Sequence, residues 1–120
     1  MKYVALLIAA ALCASCVTND FRVVDLLKPG MTQIEAFGVI TSFGFERRAV
    51  VNRPVDGWAT TGGRYDDIQG RASDVEQRLK QEIRVAEMYP VGHGLLGSGL
   101  LYLFYGQDGK LREHYRYQIN

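Results

Sequence analysis

Cysteine and histidine are scarce in this sequence, with two of each in 120 residues. No His–Cys spacing resembles a zinc site, so a metal centre has little to be built from, and we expect none. Charge of one sign is not in excess either. The chain carries 14 Lys+Arg against 13 Asp+Glu, and a balance of +1 gives no electrostatic footprint for nucleic acid. No apolar run reaches the roughly 20 residues that cross a bilayer as a helix. There is no internal repeat and no low-complexity tract. At 48% hydrophobic, the chain still has material for a packed core, and its length suits one domain of ~100–200 residues.

What is present begins at the N-terminus, where residues 1–16 read MKYVALLIAAALCASC. Lys2 is a charged start, Tyr3 to Leu12 is an unbroken apolar run, and small Ala14 and Ser15 precede Cys16. Those are the parts of a secretory signal peptide. A cysteine directly after the small pair resembles a bacterial lipobox, in which cleavage precedes a cysteine that carries diacylglycerol. Cys13 stands where the usual pattern has leucine, and Leu12 lies one position further back. The resemblance implies a signal segment 1–15, a lipidated (palmitate-bearing) Cys16 opening a short tether 16–19, and a single domain over 20–120. Loss of Cys13 and acylation of Cys16 would leave no thiol for a disulfide, although an oxidising envelope favours them. Removing Lys2 would bring the cations to parity with the acids.

The rest reads as α+β. A short helix is expected over Phe21–Leu27, broken by Pro29-Gly30. Thr32-Gln-Ile-Glu35 is a capping box, with Met31 ahead of it as half of a hydrophobic staple. It opens a second helix to about Phe43, with Ile34, Phe37 and Ile40 on its inner face and Gly44 as its stop. Phe45–Asn52 reads as a strand, with Phe45, Arg47, Ala49 and Val51 on one face. Residues 52–72 are glycine-rich, with a hairpin around Gly62-Gly63 carrying Trp58 and Tyr65 on its arms. Ser73-Asp-Val-Glu76 suggests a third, short helix to about Glu82. Arg84–Val91, Leu100–Tyr105 and Lys110–Ile119 read as strands, the middle one buried on both faces. The last strand alternates, placing Leu111, Tyr115, Tyr117 and Ile119 on the packed face and Arg112, His114 and Arg116 in water. The architecture expected is two N-terminal helices on one face of a small antiparallel sheet, with an extra short helix in the middle.

Candidate chemistry is thin. Gly92, Gly94 and Gly97 match G-x-G-x-x-G, but a dinucleotide site needs a helix after the motif. Here a β-type segment follows, so no nucleotide and no cofactor is expected. His93, Ser98 and Asp108 could be imagined as a triad, yet no nucleophile elbow is present. Adjacent Asp66 and Asp67 would point to opposite faces of a strand. Arg47, Arg48 and Arg53 form the one local basic cluster. It suits anionic lipid headgroups or a solvated strand face. Leu95 and Leu96 lie in the glycine-rich loop Gly92–Gly99, and we expect them to form an interaction loop, against the alternative of a plain linker.

Two stretches carry a resemblance to a known family. Leu27-Lys-Pro-Gly-Met-Thr-Gln-Ile-Glu35 through to Gly44, and Leu103-Phe-Tyr-Gly-Gln-Asp-Gly-Lys-Leu111, resemble the SmpA/OmlA (BamE-like) lipoproteins. The resemblance implies an αα-β-β-β fold in which Gly30, Met31 and Thr32 are fold-defining. It also implies outer-membrane anchoring that faces the periplasm, favoured further because Val17 and not aspartate follows Cys16. The related fold of β-lactamase-inhibitor proteins implies protein binding. The function expected is therefore non-enzymatic: an anchored envelope protein that binds proteins or lipids, accessory to outer-membrane assembly or envelope integrity. The envelope partner is not identified by the sequence. The alternative is a small periplasmic enzyme or ligand binder using Gly57–Gly70 and Trp58.

Overall fold

A computed structural model describes residues 22–60, 67–92 and 98–119. Cys16, the Gly62-Gly63 turn with Tyr65, and Leu95 and Leu96 lie outside the described residues. Helical backbone over residues 22–26 (α1) ends before Pro29-Gly30. Gly30 takes φ +94°, a conformation that side-chain-bearing residues avoid. This turn locks onto the far end of the chain. The Gly30 N–H donates to the Leu111 carbonyl at 2.8 Å, and the Leu111 N–H donates to the Met31 carbonyl at 2.7 Å. Thr32 then forms a bridge with Lys110.

Helix α2 spans Gln33–Ser42, and its capping box is complete: Thr32 accepts from the Glu35 N–H while Glu35 reaches back to the Thr32 N–H. Of the expected inner face, Ile40 is buried but Ile34 and Phe37 are not. Ala36 and Ile40, four apart, are buried, whereas Ile34 is 84% exposed and Phe37 38% exposed. A spacing of three and a spacing of four are both helical, and the packing partner chose between them.

Four strands follow in the order β1-β2-β3-β4, each antiparallel to its neighbour: β1 Ala49–Asn52, β2 Ile83–Val91, β3 Ser98–Gly106 and β4 Leu111–Ile119. Strand β1 is half the expected length. Phe45 therefore packs into the cluster on one face, while Ala49 and Val51 join the other. Pro90 sits inside β2 rather than ending it. It has the parity of Met88, whose carbonyl accepts the Arg48 N–H. Its missing N–H thus points to the β1 side, beyond the end of β1, where no ladder bond is lost.

Strand β3 is apolar on both faces, as expected, because the sheet is covered on both. Leu101, Leu103 and Tyr105 join Val23, Leu27, Ala36 and Ile40 beneath α1 and α2. Leu100, Tyr102 and Phe104 join Trp58, Ala72 and Val75 on the opposite face. The two N-terminal helices thus share one face, and the middle helix α3, Ile68–Leu79, covers the other. This helix starts five residues before the expected position. Asp67 is its cap, accepting from the Gly70 N–H at 3.0 Å. Ser73 is buried mid-helix, where its hydroxyl accepts from Gln77.

Irregularities in the ladders on both sides of Tyr105 reset the alternation. The register shifts between Phe104 and Tyr105 opposite Glu113 and Leu111. An extra residue moves everything beyond it to the other face. Leu111 consequently packs under α1 and α2, while Tyr117 packs on the α3 side. A second shift between Ile83 and Val85 puts Ile83 with the α3-side cluster.

Candidate interaction site on helix α2

Strand β2 aims Val85, Glu87, Tyr89 and Val91 at the α1–α2 layer. Glu87 is the one acid in that stripe and is fully buried. Such a carboxylate must be hydrogen-bonded, and three elements supply the partners. Arg47, in the segment before β1, donates from Nη1 to Oε2 at 2.8 Å. Gln33, at the start of α2, donates to the same oxygen at 3.0 Å. The Tyr105 hydroxyl on β3 donates to Oε1 at 2.8 Å. Burial first, and then the Glu87 charge, push the Tyr105 hydroxyl far above its ordinary range, so it remains a donor. Burial likewise raises Tyr89, with the Glu87 charge adding and Arg47 opposing. The buried Tyr89 hydroxyl has no hydrogen bond of good geometry among the described residues.

Above this base the surface is apolar. The Arg47 guanidinium carbon lies over the Phe37 ring, 4.9 Å from its centroid. Gln33, Ile34, Phe37 and Arg47 line a shallow groove of about 190 Å³. Val50, also exposed, lies on the same face of β1, directly opposite Glu87. Sequence reasoning assigned Ile34 and Phe37 to the core and did not single out Glu87. The signal for Glu87 was there: one acid at an inward position of an otherwise apolar alternation in β2.

The basic cluster Arg47, Arg48 and Arg53 is divided by the fold. Arg47 serves Glu87. Arg53 grips Glu76 on α3 with two hydrogen bonds, at 3.0 and 3.1 Å, and lies 3.7 Å from Glu82. That grip, and then the Ile83 N–H, hold the Glu76 carboxyl below its ordinary value against the effect of burial. Arg48 is exposed. A cavity of about 610 Å³ adjoins Arg53, lined also by Asn52, Val55, Glu82, Arg84 and Gln107. Gln107 hydrogen-bonds Glu82, and Arg84 approaches it at 3.6 Å, so the cations there already face an internal acid.

Other expected residues have structural roles. Trp58 is buried, and its Nε1–H donates to the Ile83 carbonyl at 2.9 Å. It is a core residue, not an open stacking surface. Tyr102, Tyr115 and Tyr117 surround the Arg71 guanidinium of α3 at 4.8, 5.0 and 4.8 Å. The tyrosine stripe is thus the seat of α3. Arg78 adds a two-pronged pair to Glu113. His114 is not solvated: it is half-buried on the α1–α2 side, and burial pushes it below its ordinary value. Asp108 is held in the β3–β4 turn by the Lys110 N–H and Arg112. Ser98 lies at the opposite end of β3, roughly 25 Å away at the rise of a strand. These two members of the imagined triad are not brought together.

Among the described residues no group of three or more His, Cys, Asp or Glu could hold a metal ion. No described helix is long and apolar enough to cross a membrane, which says nothing of strands. Comparison with known proteins gives no match to this chain among family models, curated proteins or solved structures.

Proposed function

We propose that the protein is a lipid-anchored envelope protein, carried by Cys16 in the outer membrane and facing the periplasm, that acts by binding another protein. Its role would be accessory to outer-membrane assembly or envelope integrity. One observation carries the binding part: Ile34 and Phe37 stand exposed on a helix whose other face is fixed in the core. Exposed apolar side chains beside a polar rim are what a protein interface uses. Here the helix beneath them is held by a complete capping box and by the buried Glu87 network. The anchoring part rests on Ala14-Ser15-Cys16. The resemblance to the SmpA/OmlA lipoproteins rests on residues 27–44 and 103–111.

The test is a photo-crosslinking amino acid placed at Ile34 in the membrane-localised full chain. We expect a discrete protein adduct from position 34 and none from Asp74, on the exposed side of α3. Equal adducts from both positions, or none from either, would rule α2 out as the binding surface.

A further inference from the structure

We infer that the α2 groove takes a protein segment in which a carboxylate lies beside an aliphatic side chain, the acid on Arg47 and the aliphatic group against Ile34 and Phe37. This rests on the proposed binding role of α2 and names the chemistry of its partner. Arg47 is the only charged residue among the described residues that line the groove, and although Glu87 balances its charge from below, its exposed N–H groups remain donors for an anion. The arginine is also held in place before any ligand arrives. Glu87 fixes one nitrogen from below at 2.8 Å, and the guanidinium carbon lies over the Phe37 ring. A guanidinium has five N–H donors, and the side chain keeps about a third of its surface exposed. Among the described residues no second carboxylate pairs with it. A planar fork already oriented loses less freedom when it meets a carboxylate, so more of the interaction appears as affinity.

Glu87 has a second consequence. Its charge is fully buried and its oxygens are occupied by Arg47, Gln33 and Tyr105. The surface therefore presents the cation while the balancing anion stays beneath. The groove's small volume selects a single large side chain, not a whole helix face. A short extended stretch with alternating acidic and aliphatic residues meets both requirements. An anionic lipid headgroup would satisfy Arg47, but it would offer no rigid aliphatic group at a fixed distance to fill the space between Ile34 and Phe37.

The experiment uses the full chain in non-ionic detergent, isotopically labelled and followed by NMR. The probe is a capped peptide with two Asp-Leu pairs, compared with its Asn-Leu counterpart. We expect the Asp-Leu peptide to shift the amides of Gln33–Phe37 and the Arg47 guanidinium. Binding of the Asn-Leu peptide should be weaker by about tenfold, the size of one charge-assisted contact. Added salt should weaken the Asp-Leu peptide more. Ile34→Asp, at an exposed position, should abolish the shifts without unfolding the domain. Equal binding of the two peptides, or an unchanged response in Ile34→Asp, overturns the inference. So does a larger α2 response to phosphatidylglycerol doped into the micelles than to the peptide. If crosslinking from position 34 yields a protein adduct while the peptides fail, only the partner's chemistry is wrong. If crosslinking fails as well, the binding role itself falls.

Discussion

At the scale of single residues, Glu87 carries a fully buried carboxylate. Its charge is tolerable in the core only because Arg47, Gln33 and Tyr105 all point at it. Glu87→Ala leaves an arginine and two polar groups without their partner. Unfolding in urea should show a loss of about 3 kcal/mol, as when one member of a buried pair is removed. Pairing Glu87→Leu with Arg47→Met should recover part of it, and a double variant no better than Glu87→Ala would mean that the ion pair is not the source. His114 gives a pH signature. Burial holds its folded value below the usual 6.5, with Lys28 assisting and Glu113 opposing. The unfolded chain therefore binds the proton more readily, and stability must fall as pH drops below about 6.5. His114→Gln should flatten that part of a stability-versus-pH series, and an unaltered slope would place the titrating group elsewhere.

Helix α2 and its preceding turn show what holds an element. The Thr32 cap is worth about 0.5–2 kcal/mol, so Thr32→Ala should lower stability by that amount and Thr32→Ser by much less. Equal losses for the two would mean that the hydroxyl is not the cap. Gly30 has a different task. Nothing stands within 4 Å of a methyl group there, so space is not the obstacle, but φ +94° is. Gly30→Ala should cost about 1–3 kcal/mol of backbone strain. Because the same turn bonds Leu111, hydrogen exchange at the Leu111 amide should accelerate in this variant. Protection unchanged from the parent would separate the turn from β4. For α3 the comparable fastener is Arg71 among three tyrosines. It ties the helix to β3 and β4, while Arg53 and Glu76 tie it to the end of β1.

At the scale of the whole molecule, the described residues form a four-stranded antiparallel sheet between two helical layers, and its two faces are finished differently. The α3 face is covered by Trp58, the tyrosines around Arg71 and paired charges, with Tyr115 still 45% exposed. The α2 face ends in open apolar side chains over a fixed polar base. The lipid anchor proposed at Cys16 would decide where that face works. Cys16→Ser should release the protein from membranes or leave its precursor uncut, read by fractionation and labelled palmitate. A variant still processed, labelled and membrane-bound would show that Cys16 is not the anchor point.

Local chemistry was legible in the sequence where the determinant lies within a few residues. The Thr32–Glu35 box, the Pro29-Gly30 break, the Gly44 stop and the doubly buried β3 all follow from short-range stereochemistry or from unbroken apolarity, and the structure has each of them. What depended on partners distant in the chain was decided only by the tertiary structure. Ile34 and Phe37 have a helical spacing as good as that of Ala36 and Ile40, and only the sheet beneath settled which pair is buried. Leu111 and Tyr117 share a parity, yet one extra residue opposite Phe104 and Tyr105 sends them to opposite faces. Asp67 outweighed Ser73 as the α3 cap because burying Ala72, Ser73 and Val75 required the earlier start. Glu87 became a site for the same reason: a sequence shows a carboxylate on a strand, but its ligands come from residues 18, 40 and 54 positions away, and only folding brings them to one point.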